Sequence, residues 1–155
     1  MNVNVSRPAP QASAQQVPQT EALVLNCMDY RLVAAVADYL DGRGLRGKYD
    51  QITLAGGAIG VMSDQTTAWA KTFWQHVALA RKLHGIRKVI IIDHRDCGAC
   101  KAFVSTDCAD IREVETVTHM KWMEALADEI AKREPGLEVE TLLMDLDGSV
   151  EAFFL

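Results

Sequence analysis

The sequence is short of basic charge, of cysteine and of long apolar runs, and each shortage removes a class of protein. Lys and Arg number 16 against 21 Asp and Glu, a formal net charge of −5. A dedicated nucleic-acid binder carries a basic excess, so no nucleic-acid partner is expected. No apolar run approaches the roughly 18–20 residues of a bilayer span, so no membrane partner is expected either. Met1 to Thr20 hold one Arg and no apolar segment of the kind found in secretory leaders, which predicts a cytoplasmic protein. The four cysteines, Cys27, Cys97, Cys100 and Cys108, are too few for a disulfide scaffold in 155 residues. In a reducing cytosol such residues bind metal, do chemistry or pack. A chain of this length suits one domain.

What is present divides at about residue 20. Residues 1–20 are rich in Gln, Ala, Ser and Pro and show no apolar period, which predicts a flexible or partner-wrapping arm. Residues 21–155 read as a single α/β domain. Ala22-Leu23-Val24-Leu25 predicts a buried strand, and Leu32, Val33, Val36 and Leu40 predict a helix that ends at Gly42 and Gly44. Gln51 to Leu54 predicts a second strand. Ser63 is placed to cap a long helix with Trp69, Phe73, Val77, Ala80 and Leu83 on one face, stopped near Gly85. Lys88 to Ile92 predicts the third strand, and a short loop or helix follows at 97–104. Ile111 to Arg133 predicts a helix closed by Pro135-Gly136, and Leu137 to Met144 a fourth strand. Val150 to Leu155 reads as a last short strand or a docking tail. This alternation implies a mostly parallel sheet of about four to five strands flanked by helices. Ligands bind such sheets outside the carboxyl ends of the strands. Here those ends are Cys27, Gly56-Gly57 and Asp93-His94.

Two clusters at those ends carry chemistry. One is Cys27-Met28-Asp29-Tyr30-Arg31; the other is His94-Arg95-Asp96-Cys97-Gly98-Ala99-Cys100-Lys101. Cys27, His94 and Cys97 offer two thiolates and an imidazole, a donor set that tetrahedral Zn²⁺ prefers. Three protein ligands leave a fourth position, which is the pattern of a catalytic zinc rather than a structural one.

Cys-x-Asp-x-Arg after the first strand, followed by His-x-x-Cys-Gly after the third, resembles the β-class carbonic anhydrases over about residues 22–104. The resemblance implies Cys27, His94 and Cys97 as zinc ligands. It implies Asp29 either as a fourth ligand or, paired with Arg31, as the group that orients water on the metal. It implies zinc-dependent hydration of CO₂ to bicarbonate by a hydroxide generated on the metal, in a homodimer or higher homo-oligomer. The same zinc architecture occurs in relatives that hydrolyse CS₂ or COS, and a non-catalytic zinc-binding relative is a third reading. The sequence departs from the family after the second strand. Many members carry Arg-Asn-Ala-Gly where this chain reads Thr53-Leu54-Ala55-Gly56-Gly57. Leu54 in place of Asn hints at CS₂ or COS. Gln19 is a rough positional candidate for a bicarbonate contact.

Other signals have ordinary readings. Cys97-x-x-Cys100 fits a thioredoxin-type redox pair, but if Cys97 holds zinc then Cys100 is left to pack in the following turn. Ala55 to Gly60 lacks the first glycine of a dinucleotide loop and has no acidic residue about 20 positions on, so it reads as a tight turn. Asp96 and Asp93 are candidates to orient a ligand, with Asp93 beside His94. His76, His84 and His119 read as solvated or satisfied, with His119 a candidate proton shuttle. Trp69, Phe73 and Trp74 read as core or subunit interface. The charges of 112–134 read as the wet face of a helix.

Overall fold

The structure, a computed structural model, describes residues 19–153. Of the expected arm, residues 1–18 lie outside the described residues. Four strands run parallel in the order β2 (Tyr49–Thr53), β1 (Ala22–Asn26), β3 (Lys88–His94), β4 (Glu138–Met144), and β5 (Val150–Phe153) joins β4 antiparallel. The helices are α1 (Val33–Gly42), α2 (Ala58–Met62), α3 (Thr67–His84), α4 (Gly98–Phe103) and α5 (Arg112–Arg133). The mostly parallel α/β sheet is therefore the one expected. No helix among the described residues is long and apolar enough to cross a membrane.

The continuous apolar runs of β1 and β3 reflect burial on both faces of the sheet. Side chains alternate along a strand. Leu23, Leu25, Val89 and Ile91 therefore pack with Phe73 and Val77 of α3 and Met123, Leu126 and Ile130 of α5. Ala22, Val24, Ile90 and Ile92 pack with Val36 and Leu40 of α1. Phe73, fully buried at the centre of the larger cluster, contributes on the order of 2–3 kcal/mol by burial.

This arrangement fixes where a site can form. The chain leaves β1 through α1 on one face to reach β2, then crosses through α3 on the other face to reach β3. The strand order 2-1-3-4 therefore reverses between β1 and β3. A crevice opens at the carboxyl ends of adjacent strands whose connections leave in opposite directions. Cys27 follows the end of β1 and His94 ends β3, so both stand at that crevice.

Local differences from the sequence reading have physical causes. Ser63 Oγ accepts from the Gln65 N–H at 3.2 Å, so it caps a 3₁₀ turn (Asp64–Thr66), and α3 proper begins at Thr67. The tight turn at Ala55–Gly60 continues into the short helix α2. Its first N–H, from Ala58, is capped at 2.9 Å by the carboxylate of Asp93, 35 residues away, so no local residue signals it. At the far end of α3, Gly85 takes φ +64 and its N–H closes on the Arg81 carbonyl at 3.1 Å, the expected glycine stop. Leu83, placed on the buried face by its spacing, is 49% exposed.

Candidate metal centre

The two strand ends and the turn after β3 bring Cys27, His94 and Cys97 together. Each offers one ligand atom, and these atoms lie within 4.8 Å of one another. All three residues are buried. Cys97 ends the turn after β3 and precedes the first residue of α4, so the ladder that sets His94 also sets Cys97. His94 Nδ1 lies 2.7 Å from the Arg95 carbonyl oxygen. A carbonyl only accepts, so Nδ1 carries the proton and Nε2 presents its lone pair. That Nε2 is buried and has no hydrogen-bond partner. An imidazole oriented from behind by a carbonyl, with its other nitrogen bare beside two sulfurs, fits a metal ligand. The thiolate–imidazole donor set suits zinc.

The electrostatics agree with that fit. The hydrogen bond between the two sulfurs lowers the Cys27 pKa strongly against the upward pull of burial, and His94 and the Gly56 N–H add to the lowering. The Gly56 N–H reaches Cys27 Sγ at 3.2 Å. The same sulfur–sulfur contact, followed by burial, pushes Cys97 upward. A cation held by both sulfurs would favour loss of both thiol protons. Burial pulls His94 down, but the neighbouring Cys27 sulfur outweighs this and the net shift is upward.

Asp29 and Arg31 flank this triad. Arg31 Nη2 lies 2.7 Å from Asp29 Oδ2, and its Nε lies 3.0 Å from Oδ1. The Arg31 backbone N–H also donates to Oδ1 at 3.0 Å. Hydrogen bonding from Arg31 holds the Asp29 carboxyl down at about 2, against burial. Asp29 Oδ2 stands 3.8 Å from His94 Nε2. Arg31 is held in turn by Asp96, whose carboxylate accepts from Nη1 at 2.8 Å and whose carbonyl accepts from Nη2 at 3.0 Å. Asp96 takes φ +54, a left-handed conformation uncommon outside glycine, and thereby turns both oxygens toward Arg31.

All five residues singled out by the two motifs therefore meet at one place. Several neighbours do not follow the sequence reading. Asp93 does not orient His94: its Oδ2 accepts from His119 Nδ1 at 2.8 Å. His119 is 0% exposed, so it is no proton shuttle to solvent. Cys100 is not left to pack alone. Its sulfur is disulfide-bonded to Cys108, because the 3₁₀ turn Thr106–Ala109 folds back over α4. Gln19 sits at the amino end of β1, away from Cys27. Leu54 packs against the core cluster of Phe73. Glu115 is not on the wet face of α5. It is buried, receives the Asp96 N–H and pairs with Arg95 at 3.0 Å. A signal for it existed, since Glu115, His119, Met123, Leu126 and Ile130 follow one helical stripe.

Comparison with known proteins agrees with this geometry. A family model described as "Putative carbonic anhydrase" matches residues 17–153. An uncharacterized protein of Rickettsia conorii is 31% identical over 136 residues, covering 88% of this chain and 73% of that protein. Another, from Rickettsia bellii, is 29% identical over 136 residues, covering 88% and 83%. Among solved structures, a pair of tetrameric β-carbonic anhydrases from Sordaria macrospora shares the fold at TM-score 0.58 and 16% identity, covering 91% of this chain and 83% of that one. A carbonic anhydrase from Streptococcus mutans does so at TM-score 0.53 and 20% identity, covering 91% and 87%. The strand-end triad of two cysteines and a histidine sits beside an Asp–Arg pair in a chain that the family model matches over all of its described residues, and this chain therefore belongs to the carbonic-anhydrase-like family so described.

Proposed function

We propose that the chain is a zinc-dependent enzyme that hydrates CO₂ reversibly to bicarbonate. The observation that carries this reading is the bare, buried Nε2 of His94, in a cluster with the Cys27 and Cys97 sulfurs and with the Asp29 carboxylate 3.8 Å away. Cys27, His94 and Cys97 would hold the ion. Zinc bound there supplies the Lewis acidity that brings the pKa of water from 15.7 toward about 7. Arg31 occupies both oxygens of Asp29, which supports a paired carboxylate rather than a fourth ligand and leaves one position for water. Asp29, kept ionised by Arg31, accepts a hydrogen bond from the attacking oxygen and turns its lone pair toward the carbon of CO₂. Asp29 keeps 14% of its side-chain surface exposed, which gives the released proton a route to solvent.

Met28, Tyr30 and Val33, around Asp29, are 68%, 85% and 63% exposed. An apolar rim of this kind beside a buried polar site supports a second copy of the chain covering it and completing the pocket. The Sordaria macrospora proteins of this fold are tetrameric. Hydrolysis of CS₂ or COS draws no separate support from Leu54, since the core accounts for its apolar character.

Stopped-flow CO₂ hydration on the zinc-loaded protein, run beside sulfide release from CS₂ and COS, tests the reading. Hydration that is lost in Cys97→Ala together with zinc is the expected result. Sulfide release without CO₂ hydration would move the substrate, and bound zinc with neither activity would make the chain a non-catalytic relative.

A further inference from the structure

A second set of metal donors lies one helical turn beyond the first. Cys100 on α4, Cys108 on the 3₁₀ turn and His119 on α5 each offer a ligand atom, all within 4.8 Å of one another. Their exposures are 0%, 1% and 0%. The Asp93 carboxylate only accepts, so His119 Nδ1 donates to it at 2.8 Å. Asp93 is fixed from its other oxygen by the Ala58 N–H at 2.9 Å. This leaves His119 Nε2 with a bare lone pair, buried and without a hydrogen-bond partner. A carboxylate behind an imidazole whose far nitrogen is bare, in a buried cluster with two cysteines, is the outer-shell pattern of metal-ligating histidines. The Cys100–Cys108 disulfide does not explain the histidine, because a disulfide has no proton to donate to Nε2.

We infer that Cys100, Cys108 and His119 form a second, redox-gated site for a soft metal ion. A dithiol reductant converts the disulfide to two thiols and is itself oxidised to its cyclic disulfide. Uptake of Zn²⁺ by the two thiols then releases two protons and leaves a pair of thiolates and the ion, with no net charge at a buried position. Oxidation by a disulfide reverses the sequence and expels the ion, so disulfide and metal exclude one another. Copper(I) shares the required softness, and the two ions are distinguished by loading each separately. The site is contiguous with the first: Cys27, Cys97, Cys100 and Cys108 belong to one buried cluster.

The test is zinc stoichiometry by elemental analysis on the full chain, prepared with and without a non-thiol reductant, with thiols counted after denaturation. The reduced protein should bind one more zinc per chain than the disulfide form. In His119→Gln and in Cys108→Ser that extra zinc should be absent under reduction. Cobalt loading should show a matching loss of thiolate-to-metal charge-transfer absorption. Because the reading is a difference from His119→Gln, it stands apart from the fate of the Cys27–His94–Cys97 centre. The proposal is overturned if fully reduced wild type binds no more zinc or copper(I) than His119→Gln, or if the disulfide resists reduction in the folded chain.

Discussion

Replacing Glu115 with alanine should destabilise the fold and loosen the Asp29–Arg31 pair together. The side chains of Arg95 and Glu115 are each 5% exposed and meet at 3.0 Å. Removing one member of a buried ion pair costs roughly 3–5 kcal/mol, because the other charge stays buried. Arg95 keeps Glu151 and Thr116, each at 3.0 Å, which lowers that figure. The Asp96 N–H also loses its acceptor, a loss of about 1–3 kcal/mol. Together these give about 3–6 kcal/mol, a large part of a typical total of about 5–15 kcal/mol. Glu115→Gln should fall between, since only one of its two head atoms accepts. Urea unfolding followed by far-ultraviolet circular dichroism measures the change, with the slope held constant between variants. The strained turn at Asp96 holds Arg31, so CO₂ hydration should decline in the same order at equal zinc content. A Glu115→Ala protein within about 0.5 kcal/mol of wild type would refute the reasoning.

Other changes have equally definite outcomes. Gly57 takes φ +54, and a Cβ there collides with the Asp93 carboxylate. Gly57→Ala should therefore lose about 2–4 kcal/mol in thermal unfolding, and a neutral result would contradict the close approach. Arg31→Gln should lower CO₂ hydration by roughly 10²-fold while zinc content stays at the wild-type level. Unchanged activity would show that Asp29 needs no partner. Phe73→Ala, at a fully buried position, should cost about 3–5 kcal/mol in urea unfolding, with the metal retained below the transition. A loss under about 1 kcal/mol would show that Phe73 does not pack the main core.

What the sequence revealed, it revealed where chemistry and period are local. The β1 and β3 runs are apolar, and that of β3 is β-branched, because both faces are covered, and the two motifs lie beside their strand ends. That adjacency is why Cys27, Asp29, Arg31, His94 and Cys97 can be grouped from the sequence. The residues that support them could not be grouped that way. Asp93 caps α2 across 35 positions and holds His119 across 26. Glu115 reaches the Asp96 N–H from another helix, and its charge disguises its place on a buried stripe. Cys100 and Cys108 meet because of how one loop folds back, which no periodicity encodes. The sequence reading used side-chain type and spacing, and these partners are set by tertiary contact.

Zinc-edge X-ray absorption on the protein with the Cys100–Cys108 disulfide intact reads the proposed Cys27–His94–Cys97 zinc site itself. The protein should hold about one zinc per chain, with two sulfur ligands near 2.3 Å and two nitrogen or oxygen ligands near 2.0–2.1 Å. A first shell of four sulfurs, a shell without sulfur, or a Cys97→Ala protein with the same spectrum would contradict it.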